Sequence, residues 1–393
     1  MQPLKSLSLE NYRRFERYSL NGLKRVNLLV GRNGCGKTSI LEALHLLGRG
    51  GDPSSLKEIA YSRRQNLPRG GDAERDGPAA PAPSWDVASL FHGYQLAPGT
   101  CFHLSPEPDG ELHPMTIRVV RPAELETESA SGALATLAIR VETAGATASK
   151  TPRGAFLSAN GSILGLTVVG SHPLTFPVSA KGGAILCEFM TPRSCEPFSL
   201  SSMWSAAEGL PHVDSLTSQA VGWPEENEDS RICQLIEMLR IAEPDVEHVT
   251  PSQDSDHVHG VDTSFRVFMT SRPSPVPLED LGDGAFHLLR LALSLVQTGK
   301  GLLLVDEIDT GLHYSVMRDM WRLVVQTAKQ CDIQVFATTH SLDCVRGLAW
   351  LCRNHPELRD EVSLQKIMPT LEESVPFDAE KIMIAAEADT EVR

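Results

Sequence analysis

The stretch Gly31-Arg32-Asn33-Gly34-Cys35-Gly36-Lys37-Thr38 decides the fold, because it fills every fixed position of the pattern G-x-x-x-x-G-K-[ST]. The glycines allow backbone N–H groups to turn inward around the oxygens of a phosphate. Lys37 can reach the two outer phosphates of a nucleoside triphosphate, and the Thr38 hydroxyl can bind Mg²⁺. The loop therefore predicts a nucleotide site, contacted by Gly31, Asn33, Gly34, Cys35, Gly36, Lys37, Thr38 and Ser39.

The sequence on either side of this loop suits a phosphate-binding loop. Val26–Val30 is an apolar run typical of a buried strand, and residues 39–47 have the 3–4 spacing of a helix. A helix that begins at the loop favours a bound anion through its dipole and its unpaired N–H groups. A chance glycine-rich turn is therefore the less favoured interpretation.

A second pattern lies far along the chain, where the apolar run Leu302–Val305 ends in Asp306 and Glu307. A parallel strand with this ending places Asp306 at the carboxyl edge of its sheet, where it can hold Mg²⁺ opposite Thr38. Glu307 adds a carboxylate that can polarise the attacking water. The alternative is a solvated strand end, but beside the loop the acidic pair predicts hydrolysis as well as binding.

The last third of the chain alternates strands and helices. Residues 284–296, 314–330 and 342–352 have the spacing of helices, and 334–338 is a further apolar strand. Alternation of this kind predicts an α/β fold with a parallel sheet. The predicted organisation is therefore the N-terminal half of a nucleotide-binding head at 1–65, an insertion at 66–277, and the C-terminal half of the head at 278–393.

The insertion is predicted to contain a linker, a β-rich part and a helical part. Prolines and glycines indicate a loop at 66–84, and residues 230–242 form an amphipathic helical pattern. Asp254 and Asp256, with two neighbouring histidines, resemble a metal-binding pair, but spacing fixes no third ligand, so a solvated turn is favoured. The short runs predicted as strands are 116–120, 137–141, 163–169 and 184–189.

Composition excludes several classes of protein. The chain has 393 residues, of which 41% are hydrophobic and 22% charged, as in ordinary globular proteins. No window approaches the roughly 18 apolar residues that span a bilayer, and the N-terminus lacks the pattern of a secretory signal. Eight scattered cysteines without a C-x-x-C pair indicate a reduced chain. We therefore expect a cytoplasmic protein with no membrane segment.

Charge is distributed unevenly along the chain. The net charge is −14, which disfavours a surface that coats nucleic acid or anionic membrane. Residues 1–64 nevertheless carry 12 Lys and Arg against 5 Asp and Glu, so this segment is basic and the rest is acidic. A basic N-terminal segment suits a phosphate ligand held near it, although an ordinary solvated basic face is equally compatible.

These motifs, together with Ile308–His313 and Thr338–Ser341, resemble the ABC-type ATPase heads of the RecF, SMC and OLD families. Residues 4–20 and 377–393 are also similar to that group, in particular to the single-chain AAA-family ATPases related to OLD that are often found beside a nuclease or toxin. The resemblance covers both ends of the chain. It implies an α/β P-loop NTPase fold whose ABC-type head has a mixed or parallel sheet and carries the β-rich and helical insertion.

The resemblance also implies roles for residues outside the two motifs. Leu281-Gly282-Asp283-Gly284 stands where the family's signature sequence opens a helix, which would contact the γ-phosphate of ATP bound by another copy. Asp309 would contact the opposite head, and His340 would sense the γ-phosphate as a catalytic residue beside Glu307 and Lys37. The alternatives are an ordinary helix cap for the signature-like segment and a structural strand-end histidine for His340.

The chain departs from the family pattern in three respects. The signature-like segment differs from the L-S-G-G-Q of transporters, which counts against a transport role. The family's conserved glutamine has no clear position, and Gln95 is only a candidate. Too few residues follow His340 for the Toprim nuclease domain of full-length OLD proteins, so we expect any nuclease to be a separate protein.

The resemblance implies a switch in which two copies enclose two ATP molecules, with Mg²⁺ on Thr38 and Asp306 and with Glu307 as the base. Three interpretations of its role remain open. The switch could control a separate effector, a nuclease or toxin, in antiphage defence. It could serve DNA repair or chromosome maintenance, with DNA as a partner, although the acidic balance counts against this. A scaffold that binds ATP without hydrolysis is disfavoured by the complete set of Lys37, Asp306 and Glu307.

Overall fold

The computed structural model describes part of the chain. The described residues are 3–50, 55–56, 59, 87–108, 112–125, 137–143, 153–157, 163–167, 186–188, 236–251, 265–298 and 301–388. The predicted loop at 66–84 and the acidic and histidine residues of 254–259 lie outside them. Of the helix predicted at 230–242, residues 236–242 are described: 236–240 are helical, and 241–242 form a turn.

Sixteen strands and five longer helices are described. The strands are β1 Ser6–Tyr12, β2 Phe15–Asn21, β3 Val26–Val30, β4 Cys101–Glu107, β5 Met115–Val120, β6 Leu137–Thr143, β7 Arg153–Leu157, β8 Ile163–Thr167, β9 Leu186–Glu188, β10 Val246–Pro251, β11 Phe265–Met269, β12 Val276–Pro277, β13 Gly301–Val305, β14 Ile333–Thr338, β15 Val362–Lys366 and β16 Val375–Phe377. The helices are α1 Lys37–Gly48, α2 Asp283–Thr298, α3 Met317–Gln330, α4 Leu342–Asn354 and α5 Ala379–Glu387. Among the described helices, none is long and apolar enough to cross a membrane.

A six-stranded sheet forms the centre of the molecule, in the order β16-β15-β3-β14-β13-β9. Its pairs are parallel, apart from the antiparallel edge pair of β15 and β16. Strand β14 therefore lies between β3 and β13, and the carboxyl ends of all three strands meet at one edge. Because the nucleotide loop follows β3 and the acidic pair follows β13, strand pairing brings the two sequence motifs together.

The side chains of these strands alternate between two cores. Leu303 and Val305 belong to a cluster that contains Trp321 of α3 and the apolar faces of α2, α4 and α5. Leu302 and Leu304 belong to a second cluster that contains α1 and the inner face of the antiparallel sheet. All five residues of β13 are buried, as expected when both faces of a parallel sheet are covered.

A seven-stranded antiparallel sheet in the order β2-β1-β4-β5-β6-β7-β8 covers the α1 side. Leu7 and Leu9 of β1 and Phe102 and Leu104 of β4 alternate with polar residues and point toward α1. A small third sheet, β10-β11-β12, shares an apolar cluster with the start of α2.

The structure confirms the predicted fold class, an α/β P-loop fold with a mixed sheet. Strand β3 has its predicted bounds, and the helix after the loop begins at Lys37, two residues earlier than its apolar spacing indicated. The segment 66–277 was predicted as an insertion, and six of its described strands join the two main sheets, whereas β10–β12 form the third sheet. Strands β4–β8 extend the antiparallel sheet of β1 and β2, and β9 pairs with β13.

Candidate functional site

The loop between β3 and α1 needs glycine for two physical reasons. Gly31 and Gly36 have φ values of +148° and +109°, which other residues rarely adopt. A Cβ atom at Gly31 would also lie 2.7 Å from both Cys35 Sγ and the Ile367 carbonyl oxygen, and one at Gly36 would collide with the Phe15 ring. A narrow cradle of backbone therefore stands at the N-terminus of α1, as a phosphate ligand requires.

Lys37 folds back over this cradle. Its Nζ donates hydrogen bonds to the carbonyl oxygens of Gly31, at 2.8 Å, and Arg32, at 3.3 Å. The side chain is only 5% exposed, and burial lowers the pKa of Lys37, an effect that the charges of Asp306 and Glu307 offset only in part. A buried ammonium group that is held by two neutral carbonyls is well placed to bind an anion.

Asp306 joins the loop to the neighbouring strands. One carboxylate oxygen accepts a hydrogen bond from Thr38 Oγ1 at 3.0 Å, and the other accepts one from the Thr338 hydroxyl. The two predicted metal ligands are thus in direct contact, although one lies on α1 and the other after β13. A carboxylate beside a hydroxyl offers the oxygen ligands that Mg²⁺ prefers, so these residues fit the predicted ion.

Glu307 has an unusual backbone. Its φ is +53°, in the left-handed region that costs a non-glycine residue roughly 1–2 kcal/mol. Two hydroxyl groups hold it there: its N–H donates to Thr338 Oγ1 at 2.8 Å, and its carboxylate accepts from Thr310 Oγ1 at 3.3 Å. The neighbouring residues therefore hold Glu307 in a conformation that its own preferences disfavour, as often occurs at functional sites.

His340 follows β14 and reaches the same edge of the sheet. Its Nδ1 lies 3.4 Å from Lys37 Nζ. Burial, with the positive charge of Lys37, lowers the pKa of His340, so the neutral ring is favoured at pH 7 and its Nδ1 can accept a hydrogen bond from the ammonium group. Asp309 lies nearby, where its Oδ1 accepts a hydrogen bond from Thr339 Oγ1 at 2.6 Å.

The signature-like segment is separate from this cluster. Leu281 ends a short 3₁₀ turn, Gly282 has φ +86°, and α2 begins at Asp283. Gly282 and Asp283 are exposed, whereas Gly284 is half-buried. Among the described residues, no hydrogen bond joins this segment to the nucleotide loop. Gln95 is exposed and likewise makes no described hydrogen bond to the loop or to Asp306.

Sequence reasoning assigned no role to three residues that organise the site, although two of them, Thr310 and Thr338, lie in the stretches that carry the resemblance. Thr338 is fully buried and contacts both Asp306 and Glu307, while Thr310 holds the Glu307 carboxylate. His287 of α2 lies 2.9 Å from the carbonyl oxygen of Ile308 through its Nε2. A further signal was the position of Thr338, a hydroxyl residue at the end of an apolar strand.

Two family models match the chain. Residues 3–62 match the model described as "AAA ATPase domain", and residues 198–343 match the one described as "AAA domain, putative AbiEii toxin, Type IV TA system". Both matches are to ATPase domains of the AAA type. The first match contains the nucleotide loop, and the second begins within the middle segment and runs through Asp306 and Glu307.

Curated relatives match over short stretches. The chain is 41% identical to the DNA replication and repair protein RecF of Clostridioides difficile over 70 residues, which are 17% of this chain and 19% of that protein. It is 52% identical to RecF of Xanthomonas oryzae pv. oryzae over 44 residues, which are 11% of this chain and 12% of that protein. The matches therefore span less than a fifth of the length of these relatives.

Two solved structures of SMC heads overlap with most of the chain. One, bound to the C-winged helix domain of ScpA, is 11% identical with a TM-score of 0.43. The match covers 97% of this chain and 99% of that chain. The SMC head domain from Thermotoga maritima is 12% identical with a TM-score of 0.40, and covers 96% of this chain and 99% of its own.

Proposed function

We propose that the chain, which matches ATPase domains of the AAA type, is an ABC-type ATPase of the RecF and SMC kind that binds and hydrolyses ATP with Mg²⁺ and dimerises when ATP is bound. The observation that carries this proposal is the convergence of Lys37, Thr38, Asp306 and His340 at one edge of the parallel sheet. These residues come from three different strand ends, and a structural role alone gives no reason for a buried cation and a carboxylate to meet beside an N-terminal cradle.

Each residue of the cluster has a role in this proposal. Lys37 exchanges its hydrogen bonds to the Gly31 and Arg32 carbonyls for bonds to phosphate oxygens, which replaces two neutral acceptors by charged ones. Thr38 and Asp306 hold Mg²⁺, which when bound neutralises negative charge on the phosphates. Glu307 orients the attacking water and accepts its proton, since its carboxylate is already positioned by Thr310.

The exposed signature-like segment supports dimerisation. Gly282 and Asp283 stand at the start of a sixteen-residue helix, and both residues are exposed. A helix start with little side-chain bulk can approach a γ-phosphate presented by a second copy. Two copies related by a two-fold axis would then each complete the other's site.

The direct test combines phosphate release with light scattering. We expect the unaltered chain to release phosphate from ATP only when Mg²⁺ is present, and to double in mass with a non-hydrolysable ATP analogue but not with ADP. A chain that remains monomeric with the analogue would refute the dimer. A chain that binds the analogue but releases no phosphate from ATP would support the scaffold interpretation instead.

For the biological role we propose control of a separate effector, a nuclease or toxin, in antiphage defence. This is supported by the matched model at residues 198–343, whose description names a toxin–antitoxin system. The test is a pull-down from native cells with a tagged Glu307→Gln chain, which should hold the ATP-bound state. A stoichiometric nuclease or toxin-like partner is the expected result. Recovery of DNA and repair proteins alone would refute effector control.

The matches to RecF favour a second candidate, an ATPase of DNA repair or chromosome maintenance. This candidate requires phosphate contacts from Lys and Arg, so binding to DNA should weaken steeply with salt. Stimulation of ATP turnover by duplex DNA at low salt, lost as the salt concentration rises, would favour it over effector control. Turnover that is indifferent to DNA would exclude it.

Thr338→Val should slow turnover while sparing ATP binding. Valine keeps the shape of threonine but leaves the half-buried N–H of Glu307 and one oxygen of Asp306 without their hydroxyl partner. We expect a loss of about 1–3 kcal/mol in unfolding free energy. Misplacement of the base should lower kcat about 10- to 100-fold. Thr338→Ser retains the hydroxyl and should keep most of the activity. Equal rates for the valine and serine variants would contradict this role.

A further inference from the structure

We propose that His287 is a positioning residue that links the signature helix α2 to the loop that carries Glu307. Through this link, contact between Gly282–Gly284 and a second copy's nucleotide is transmitted to the base. The inference rests on the proposed function, because it concerns how turnover depends on the partner. It assigns a role to a residue that lies outside the nucleotide loop, the acidic pair and the signature-like segment.

The first observation is a hydrogen bond between two elements that are distant in sequence. His287 is buried one turn into α2, and its Nε2 donates to the carbonyl oxygen of Ile308 at 2.9 Å. The N–H of Ile308 donates to the carbonyl oxygen of Thr338 at 3.0 Å. The residue immediately after Glu307 is thus held on one side by β14 and on the other side by the signature helix.

The second observation is close backbone packing at the start of the same helix. A Cβ atom at Gly284 would lie 3.0 Å from the carbonyl oxygen of Gly311, and one at Gly311 would lie 3.5 Å from Cβ of Asp283. The loop 307–312 therefore touches α2 at two places, through Gly311 near the exposed helix start and through Ile308 one turn further. A movement of the helix start cannot leave this loop unchanged, because packed interiors transmit displacement.

These contacts bear on catalysis because Glu307 has little freedom of its own. Its left-handed backbone depends on neighbouring hydrogen bonds. We expect a change at the Ile308 carbonyl, which lies one peptide beyond Glu307, to shift this backbone and with it the carboxylate. A histidine that only satisfied a core acceptor would affect folding stability and leave turnover of the folded protein intact. The two roles are therefore separable by experiment.

The test compares three variants for kcat, KM for ATP, and Tm. His287→Leu removes the donor, and we expect kcat to fall about tenfold or more. KM for ATP should change by less than about threefold, since the nucleotide loop is untouched. His287→Gln places an amide N–H near the position of Nε2 and should restore kcat to within about threefold of the unaltered chain. Leu295→Val, a buried change on the far half of α2, is the matched control for stability.

The outcomes separate this inference from the proposed function. If His287→Leu leaves kcat unchanged, the positioning role is overturned. The same holds if Leu295→Val, at an equal Tm, lowers kcat as much as His287→Leu does. If His287→Gln does not restore kcat, the positioning role is likewise overturned. If His287→Leu does not fold, His287→Asn takes its place, since its shorter amide falls short of the Ile308 carbonyl. An unaltered chain that binds ATP without turnover would overturn the proposed hydrolysis itself.

Discussion

Lys37→Ala should abolish measurable ATP binding, the largest effect we expect from a single substitution. Lys37 is the buried cation of the cradle, and its Nζ already lies within hydrogen-bond distance of the Gly31 and Arg32 carbonyls that line it. Alanine removes two charge-assisted hydrogen bonds to the phosphates, each worth about 1.5–3 kcal/mol. The affinity for ATP should therefore fall by more than about 100-fold in calorimetry with Mg²⁺.

The control for this prediction is Lys5→Ala, which removes an exposed lysine of the same basic segment. It lowers the net positive charge near the N-terminus by the same amount and should leave ATP affinity nearly unchanged. The Tm of each variant shows that the fold is retained. Unchanged ATP binding by a folded Lys37→Ala chain would refute the assignment of the nucleotide loop.

Glu307→Gln should retain ATP and stop turnover, which is the second large effect. Glutamine has the shape of glutamate, and its carbonyl oxygen can still accept the hydrogen bond from Thr310. It cannot take a proton from water, so the hydrolysis rate should fall about 10²- to 10⁴-fold. Single-turnover phosphate release measures this loss, and light scattering should show dimers that persist with ATP and Mg²⁺.

Glu380→Gln is the matched control, because it removes one exposed carboxylate at the start of α5, on a helix that packs against a different part of the sheet. Its rate of ATP hydrolysis and its molecular mass in the presence of ATP should equal those of the unaltered chain. Hydrolysis at the unaltered rate by Glu307→Gln would show that another group acts as the base. Loss of ATP binding in the same variant would instead show that Glu307 helps to hold the nucleotide.

Local sequence was informative wherever a short motif imposes its own geometry. Gly31 and Gly36 could be recognised because a positive φ and a close approach to backbone or side chain restrict those positions to glycine. Leu302–Val305 could be recognised because a strand covered on both faces is continuously apolar. In both cases the physical requirement is met by consecutive residues, so it is visible in the sequence.

Pairing between distant strands was less visible, as the middle of the chain demonstrates. Residues 66–277 were predicted as an insertion with its own β-rich part, and the strand runs within it were located well at Met115–Val120 and Leu137–Thr143. The strands with which these runs pair were not predicted, because an alternating strand can bury its apolar face against any complementary surface. The inner face of this sheet packs on α1, and this packing depends on the shape of the whole core.

The sequence by itself therefore determined the α/β class, the nucleotide loop and the acidic pair, because each depends on the conformational and burial needs of neighbouring residues. Tertiary structure alone decided that Thr338 contacts both Asp306 and Glu307, and that His287 reaches the Ile308 carbonyl. These contacts join residues that are 21 to 32 positions apart. They exist only because parallel pairing places β14 beside β13 and because α2 packs against the same strand. A hydroxyl or an imidazole has no preference that would reveal such a partner in advance.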